Sequence, residues 1–190
     1  MVLLLLVTLS CLAAVKGQPT PCCMQTAWSA KVFDPRGPYQ GNNINADFYY
    51  DYDKAATAIQ YTVYGTPVTQ KSTKIVTAYL QNARYTITGN GTCTKDVPTD
   101  VLLPKCIPND SEDIGSSYIG IQASGMKSNN WVVVKDSINI TMSVTDPDCV
   151  LTYLGITNPA DSPTDTELYF NGFKTGITDP DAFDVPISCQ

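Results

Sequence analysis

Residues 138–144 have the sequence INITMSV, in which apolar and polar side chains alternate. The apolar positions are Ile138, Ile140, Met142 and Val144. Successive side chains of a β-strand point to opposite faces of a sheet, so a period of two predicts a strand with one buried and one wet face. The same alternation recurs in residues 48–53 and 59–64. The sequence therefore predicts a mainly β protein.

Other parts of the chain fit the same interpretation. The further strand candidates are residues 75–80, 84–88, 118–122, 131–134, 150–155 and 168–173. Turn-forming residues such as Gly89-Asn-Gly91 separate many of these candidates, and residues 96–115 and 157–166 have the composition of long loops. No stretch after residue 17 has a convincing helical period. We therefore expect one domain of about nine or ten antiparallel strands.

The first 17 residues form an apolar stretch that is shorter than the roughly 20 residues of a membrane span. Its length suits the core of a signal peptide, and the small residues Val15 and Gly17 favour cleavage before Gln18. We expect residues 1–17 to be a signal peptide and residues 18–190 to form a single domain. The mature protein is then secreted and has no membrane span.

The composition argues against common enzyme chemistries. The chain has no histidine, and its only glutamates are Glu112 and Glu167. The absence of histidine excludes the usual catalytic triads and histidine metal sites. Asp51 and Asp53 are the only local carboxylate pair on one strand face, and their position beside a turn fits a solvated surface better than a glycosidase site. We predict a protein that is not an enzyme and needs no organic cofactor.

Removal of the signal peptide leaves six of the seven cysteines. They are Cys22, Cys23, Cys93, Cys106, Cys149 and Cys189. An even number in an exported chain indicates a disulfide framework before a metal site, and the residues alone leave all pairings open. Three sequons, at Asn90, Asn109 and Asn139, predict N-glycosylation.

Acidic residues are concentrated near the end of the chain. The net charge is −6, and residues 146–184 contain eight acidic residues against the single base Lys174. This makes nucleic acid an unsuitable partner and a cation a suitable one. Two Asp-Pro-Asp turns are the candidate calcium ligands, with Asp146 and Asp148 in one and Asp179 and Asp181 in the other. A solvated acidic surface, or one that adsorbs to a calcium mineral, explains the same residues.

Several short motifs occur in an order that resembles the ependymin-related family. In the first part of the chain they are Pro21-Cys22, Trp28, Tyr52-Asp53, Thr92-Cys93-Thr94-Lys95 and Trp131. The closing stretch FKTGITDPDAF at 173–183, with Pro186 and Ser188-Cys189-Gln190, is similar to the end of family members. The similarity extends over essentially the whole mature chain.

The resemblance implies two stacked, curved antiparallel sheets around a deep apolar pocket, as in bacterial lipoprotein carriers. It also implies a secreted, glycosylated and often dimeric protein that binds calcium and acts in cell–matrix contact. It pairs Cys93 with Cys189, and Cys149 with Cys22 or Cys23. Cys106 then bonds the remaining N-terminal cysteine or a cysteine of a second molecule.

The inward face of such sheets either packs as a solid core or lines a pocket for a lipid-like ligand, and the sequence leaves both open. The candidate lining residues are Phe48, Tyr50, Tyr52, Tyr61, Ile138, Ile140 and Met142. Tyrosine suits such a pocket because a phenol has both an apolar face and a hydrogen-bonding group. The alternative function is an acidic structural component of an extracellular or mineralised, shell-type matrix without a lipid ligand.

Overall fold

Strands make up most of the residues that the computed structural model describes, which are 19–35, 45–63, 71–157 and 165–189. The strands are β1 (Ala27–Phe33), β2 (Asn45–Asp51), β3 (Ala56–Val63), β4 (Lys71–Ala78), β5 (Ala83–Thr88), β6 (Cys93–Asp96), β7 (Glu112–Ile119), β8 (Met126–Lys135), β9 (Ile138–Thr145), β10 (Leu151–Thr157) and β11 (Thr166–Thr175). Short 3-10 helices occur at Tyr79–Gln81 and Ile187–Cys189. The predicted signal peptide lies outside the described residues.

The strands form one antiparallel sheet in the order β6-β5-β4-β3-β2-β1-β11-β10-β9-β8-β7. Pairing of β1 with β11 joins an N-terminal half, β1 to β6, to a C-terminal half, β7 to β11. The mainly β, antiparallel, sandwich-like fold is thus confirmed, with both halves hydrogen-bonded into a single sheet. The described chain has eleven strands, more than expected, because β1 and β6 had not been predicted.

One core cluster takes side chains from both halves of the sheet, and its centre is Trp28 of β1. The Trp28 ring stacks on Phe48 and Tyr50 at centroid distances of 5.2 and 5.4 Å and meets the edge of Phe170 at 5.7 Å. Ile140 and Met142 of β9 are fully buried in the same cluster, as their alternation predicted. We call the sheet face that carries these side chains the inner face.

The opposite, outer face of the N-terminal half carries a second apolar cluster. Tyr49, Val76 and Tyr85 belong to it, and residues 177–189 lie across them. We call residues 177–189 the C-terminal strap. Its Ala182 is completely buried against the sheet. The N-terminal half is therefore covered on both faces.

The loop between β6 and β7 is long, as predicted, but β7 begins at Glu112, inside the range expected to be loop. Within this loop Leu103 and Ile107 are only 3% and 4% exposed and join the inner core. The Tyr50 hydroxyl donates a hydrogen bond of 2.9 Å to the Leu103 carbonyl. The loop therefore covers part of the inner face.

Disulfides fix the segments that lie outside the strands. Cys22 bonds Cys149, and Cys23 bonds Cys106, so the N-terminal segment is tied to the β9–β10 turn and to the covering loop. Cys93 bonds Cys189 and holds the strap to β6. This is the pairing that the family resemblance favours, with Cys106 bonded within the chain.

Candidate functional site

The inner face changes from aromatic to charged along one row of directly paired residues. The strand register aligns Trp28 with Tyr50, Tyr50 with Thr57, Thr57 with Thr77, and Thr77 with Arg84. Residues that are directly opposite on neighbouring strands place their side chains on the same face of the sheet. An apolar wall at β1 and β2 thus leads to a guanidinium on β5.

A polar cluster stands at the charged end of this row. The Tyr79 hydroxyl hydrogen-bonds to both Thr57 and Asp100. Arg84 is close enough to interact electrostatically with the Tyr79 phenol and with the Asp100 carboxyl group. Burial raises the pKa of Tyr79, and the nearby Asp100 carboxylate raises it further, so the phenol stays protonated and donates to Asp100. Burial also raises the pKa of Asp100, while Arg84 opposes that shift.

Two buried polar atoms of this wall have no hydrogen-bond partner among the described residues, Nε1 of Trp28 and Oδ1 of Asp100. A buried donor or acceptor without a partner is costly, by roughly 1–3 kcal/mol each. One atom donates and the other accepts when ionised, so water or polar ligand atoms can satisfy both. The inner face therefore carries unused hydrogen-bonding capacity beside apolar surface.

The predicted lining residues are distributed unevenly. Phe48, Tyr50, Ile138, Ile140 and Met142 are all buried in the inner core. Tyr61 is half-buried and packs against that core. Tyr52 lies in the turn after β2 and is 42% exposed. The sequence did not single out Arg84 or Asp100. The alternation along β5 does place Arg84 on the other face of the strand from the apolar Tyr85 and Ile87.

The candidate calcium ligands lie in two separate turns. Asp146 accepts a 2.7 Å contact from Lys127, and this hydrogen bond lowers the Asp146 pKa. Asp179 accepts a 3.0 Å hydrogen bond from the backbone N–H of Asp181 in the strap. Within the described ranges there is no group of three or more Asp, Glu, Cys or His side chains placed to hold a metal ion.

Asp51 and Asp53, the carboxylate pair considered for catalysis, are in different surroundings. Asp51 ends β2, is 8% exposed and lies 3.6 Å from the Lys54 ammonium group. Asp53 is exposed in the following turn.

A cleft of about 1060 Å³ lies between the outer face of β3 to β6 and the C-terminal strap. Its floor is formed by Val76, Tyr85 and Ile87, and strap residues 183–187 form its other wall. Three cationic residues line it, Lys54, Lys74 and Lys95, against a single acidic one, Asp184. We call this space the outer cleft. It was missed because the sequence gives no signal that the strap folds back over β4 and β5.

A family comparison covers most of this architecture. The model of the Ependymin family matches residues 67–189, from just before β4 through the strap. The chain belongs to the ependymin family. A search of curated protein sequences finds no match. The family match includes Asp100 and Arg84 of the inner face and most of the outer cleft, whereas β1 to β3 precede it.

The three sequons of this ependymin-family chain lie in different surroundings. Asn90 is exposed in the turn between β5 and β6, and Asn109 is exposed in a turn shortly before β7. Asn139 is half-buried on β9, on the face opposite the buried Ile138 and Ile140. No helix within the described segments is long and apolar enough to cross a membrane.

Proposed function

We propose that this ependymin-family chain is a secreted, non-enzymatic binding protein that holds an apolar ligand with a polar head against the inner face of its sheet. The observation that carries the proposal is the row from Trp28 to Arg84, which joins aromatic and charged surface in one register. An amphiphilic ligand needs this combination, since its chain requires apolar contact and its head requires hydrogen bonds.

The two partnerless atoms support the same assignment. Trp28 Nε1 offers a donor within the aromatic part of the wall, and Asp100 Oδ1 lies near the polar end. In a wall that only packs against other side chains, buried polar atoms without partners lower the stability of the folded protein. The covering loop, through Leu103, lies over part of this face, so we expect a ligand with a single slender chain.

Native mass spectrometry with solvent extraction tests this function on protein secreted from eukaryotic cells. We expect a co-purifying lipid at close to one molecule per chain, and less of it in Arg84→Gln than in the matched Lys135→Gln, which changes an exposed cation at the end of β8. A protein that carries no lipid and also refuses a panel of fatty acids contradicts the proposal.

We also propose that the acidic segment 146–184 binds calcium outside the cell and supports contact with the extracellular matrix. Its eight acidic residues support this role, and two of them, Asp179 and Asp181, lie in the same strap turn. Calcium is abundant outside cells, where modules with millimolar affinity are sufficient. An acidic matrix component without a lipid ligand remains the alternative function, which the extraction experiment above separates from the first.

We further propose that the protein forms a homodimer through the outer edge of β7, which pairs with no other described strand. Residues 114–126 contain no charged side chain, and Ile119 and Ile121 are 56% and 74% exposed. Sheet edges are normally protected by charge, shortness or cover. The other edge, β6, has only four residues, carries Lys95 and Asp96, and is tied to the strap. A two-fold pairing of β7 with its copy therefore closes the assembly at two chains.

A further inference from the structure

The outer cleft has the composition of a binding site for an anion with an apolar tail. The chain carries 12 basic and 18 acidic residues, yet three of the basic ones line this single cleft and only one acidic residue does. The accessible apolar surface of the cleft is on the strap, at Phe183, Pro186 and Ile187, because Val76 and Ile87 below the lysines are only 2% and 9% exposed. Cations beside an accessible apolar surface are complementary to an amphiphile of opposite charge.

The lysine side chains are held in place by aromatic rings and by the strap. Lys54 Nζ lies 5.0 Å from the centre of the Phe183 ring and 3.6 Å from Oδ2 of Asp51, and Lys95 Nζ lies 5.3 Å from the centre of the Tyr85 ring. Lys74 Nζ donates a 2.9 Å hydrogen bond to the carbonyl of Asp181. An ammonium group that contacts a ring or a carbonyl keeps other N–H donors for an anion, because each ammonium group has three.

The shape of the cleft favours a small molecule over a polymer. Its volume of about 1060 Å³ is at the upper end of ordinary small-molecule sites, which hold roughly 300–1,000 Å³. A sulfated glycan could bind the lysines, but it would make no favourable contact with the apolar side chains of the strap. Ile187, at 88% exposure, extends the apolar surface to the rim of the cleft.

We propose that the outer cleft binds a single-chain amphiphile with a carboxylate head, of the fatty-acid type. The head lies among Lys54, Lys74 and Lys95. The alkyl chain lies along the apolar side chains of the strap, Phe183, Pro186 and Ile187. This site is on the opposite face of the sheet from the ligand of the proposed function, and it does not depend on that function.

Calorimetric titration of decanoate into the full secreted protein tests the site. We expect Lys95→Glu to weaken binding at this site about tenfold, since it replaces an attraction with a repulsion. Lys135→Glu makes the same charge change outside the cleft and leaves the affinity as it was. Decanol, which has the chain without the charge, binds the cleft more weakly than decanoate and does not respond to Lys95→Glu.

A second pair of matched variants tests the apolar part of the site. Ile187→Asp, at the rim, weakens decanoate binding, whereas Leu80→Asp does not, because Leu80 is equally accessible at 81% exposure but lies outside the cleft. Both positions are so exposed that neither change threatens folding.

Three results overturn the proposal: affinity for decanoate that is unchanged in Lys95→Glu, equal affinity for decanol, or retention on a heparin column that Lys95→Glu abolishes while decanoate fails to bind. Decanoate binding that is insensitive to both cleft variants places the ligand on the inner face and leaves the proposed function intact. Decanoate binding that Lys95→Glu removes completely, and that Arg84→Gln does not change, supports the outer cleft and contradicts the inner-face function.

Discussion

Tyr50 and Leu103 are 53 residues apart in sequence, and the Tyr50 hydroxyl donates a buried 2.9 Å hydrogen bond to the Leu103 carbonyl. Burial raises the pKa of Tyr50, so the donor proton is retained at physiological pH. The bond fixes the covering loop over the inner face at the apolar end of the row.

Tyr50→Phe keeps the stacked ring and removes this bond. Because the Leu103 carbonyl is then buried without its donor, we expect the free energy of unfolding to fall by about 1–3 kcal/mol. Tyr169→Phe, at a 45% exposed position on β11, is the control and changes it by less than about 0.5 kcal/mol. Urea unfolding of both variants measures the difference, and equal stabilities would show that the loop is held by packing alone.

Asp100 makes the free energy of unfolding depend on pH, and the direction of its raised pKa decides whether its contribution rises or falls. Its pKa in the folded protein is raised above the ordinary value of 3.8, chiefly by burial, so the folded state holds this proton more tightly than the unfolded state does. The group's contribution to stability therefore falls as the pH rises through and above 3.8. Asp100→Asn removes the ionisation and keeps an oxygen that accepts from Tyr79.

We expect Asp100→Asn to gain stability relative to the natural chain as the pH rises from acid toward neutral. Thermal melts across that range measure the difference between the two proteins. Asp110→Asn, in an exposed turn, is the matched control and should show no such divergence. If Asp100→Asn instead lost stability steadily on the way to neutral pH, the carboxylate would be favoured by Arg84 more than it is penalised by burial.

The Cys93–Cys189 disulfide closes a sequence separation of 96 residues. Replacing both cysteines with serine should lower the free energy of unfolding by about 2–5 kcal/mol, because the unfolded chain regains the entropy of an open loop. Hydrogen exchange should rise first in the strap and β6, with β8 and β9 unchanged. Uniform loss of protection across the sheet would mean that the strap is needed for folding as a whole.

Calcium binding should appear as a shift in melting temperature. At calcium concentrations about ten times a millimolar dissociation constant, we expect a rise of about 3–6 °C. Asp179→Asn together with Asp181→Asn should remove this rise, and Asp110→Asn should preserve it. No shift at ~10 mM calcium would argue against specific sites of that affinity.

The β7 edge predicts the oligomeric state. Ile119→Lys places a charge in the uncharged stretch 114–126 and should convert a dimer to a monomer in light scattering coupled to gel filtration. Val134→Lys is the control, because Val134 is 70% exposed on β8, away from that edge. Dimers that persist in Ile119→Lys would place the interface elsewhere.

The sequence predicted the fold best where the alternation was strict. β9 was predicted almost to the residue, since Ile138 to Val144 alternate without interruption. β1 was missed because its inner positions include the small Ala30 and its outer ones include the apolar Ala27 and Phe33, and the four residues of β6 are too few to show a period.

The candidate sites were harder to predict because they depend on contacts between distant segments. Asp100 lies in a loop that has no periodic pattern of apolar residues. It comes close to Tyr79 and Arg84 only in the folded chain. The cysteine count indicated three bonds, but their partners came from the family resemblance alone. The outer cleft exists because the strap returns over β4 and β5, which no local pattern encodes.

The pairing of β1 with β11 places an early and a late part of the chain side by side in the middle of the sheet, with Trp28 opposite Thr175. Until residue 175 has been made, β1 and β10 each have a bare edge, and the central tryptophan lacks its Phe170 and Phe173 neighbours. Contacts of such long range are slow to form. The folding chain must therefore pass through a half-built state, with two unpaired strand edges, until its final strand arrives.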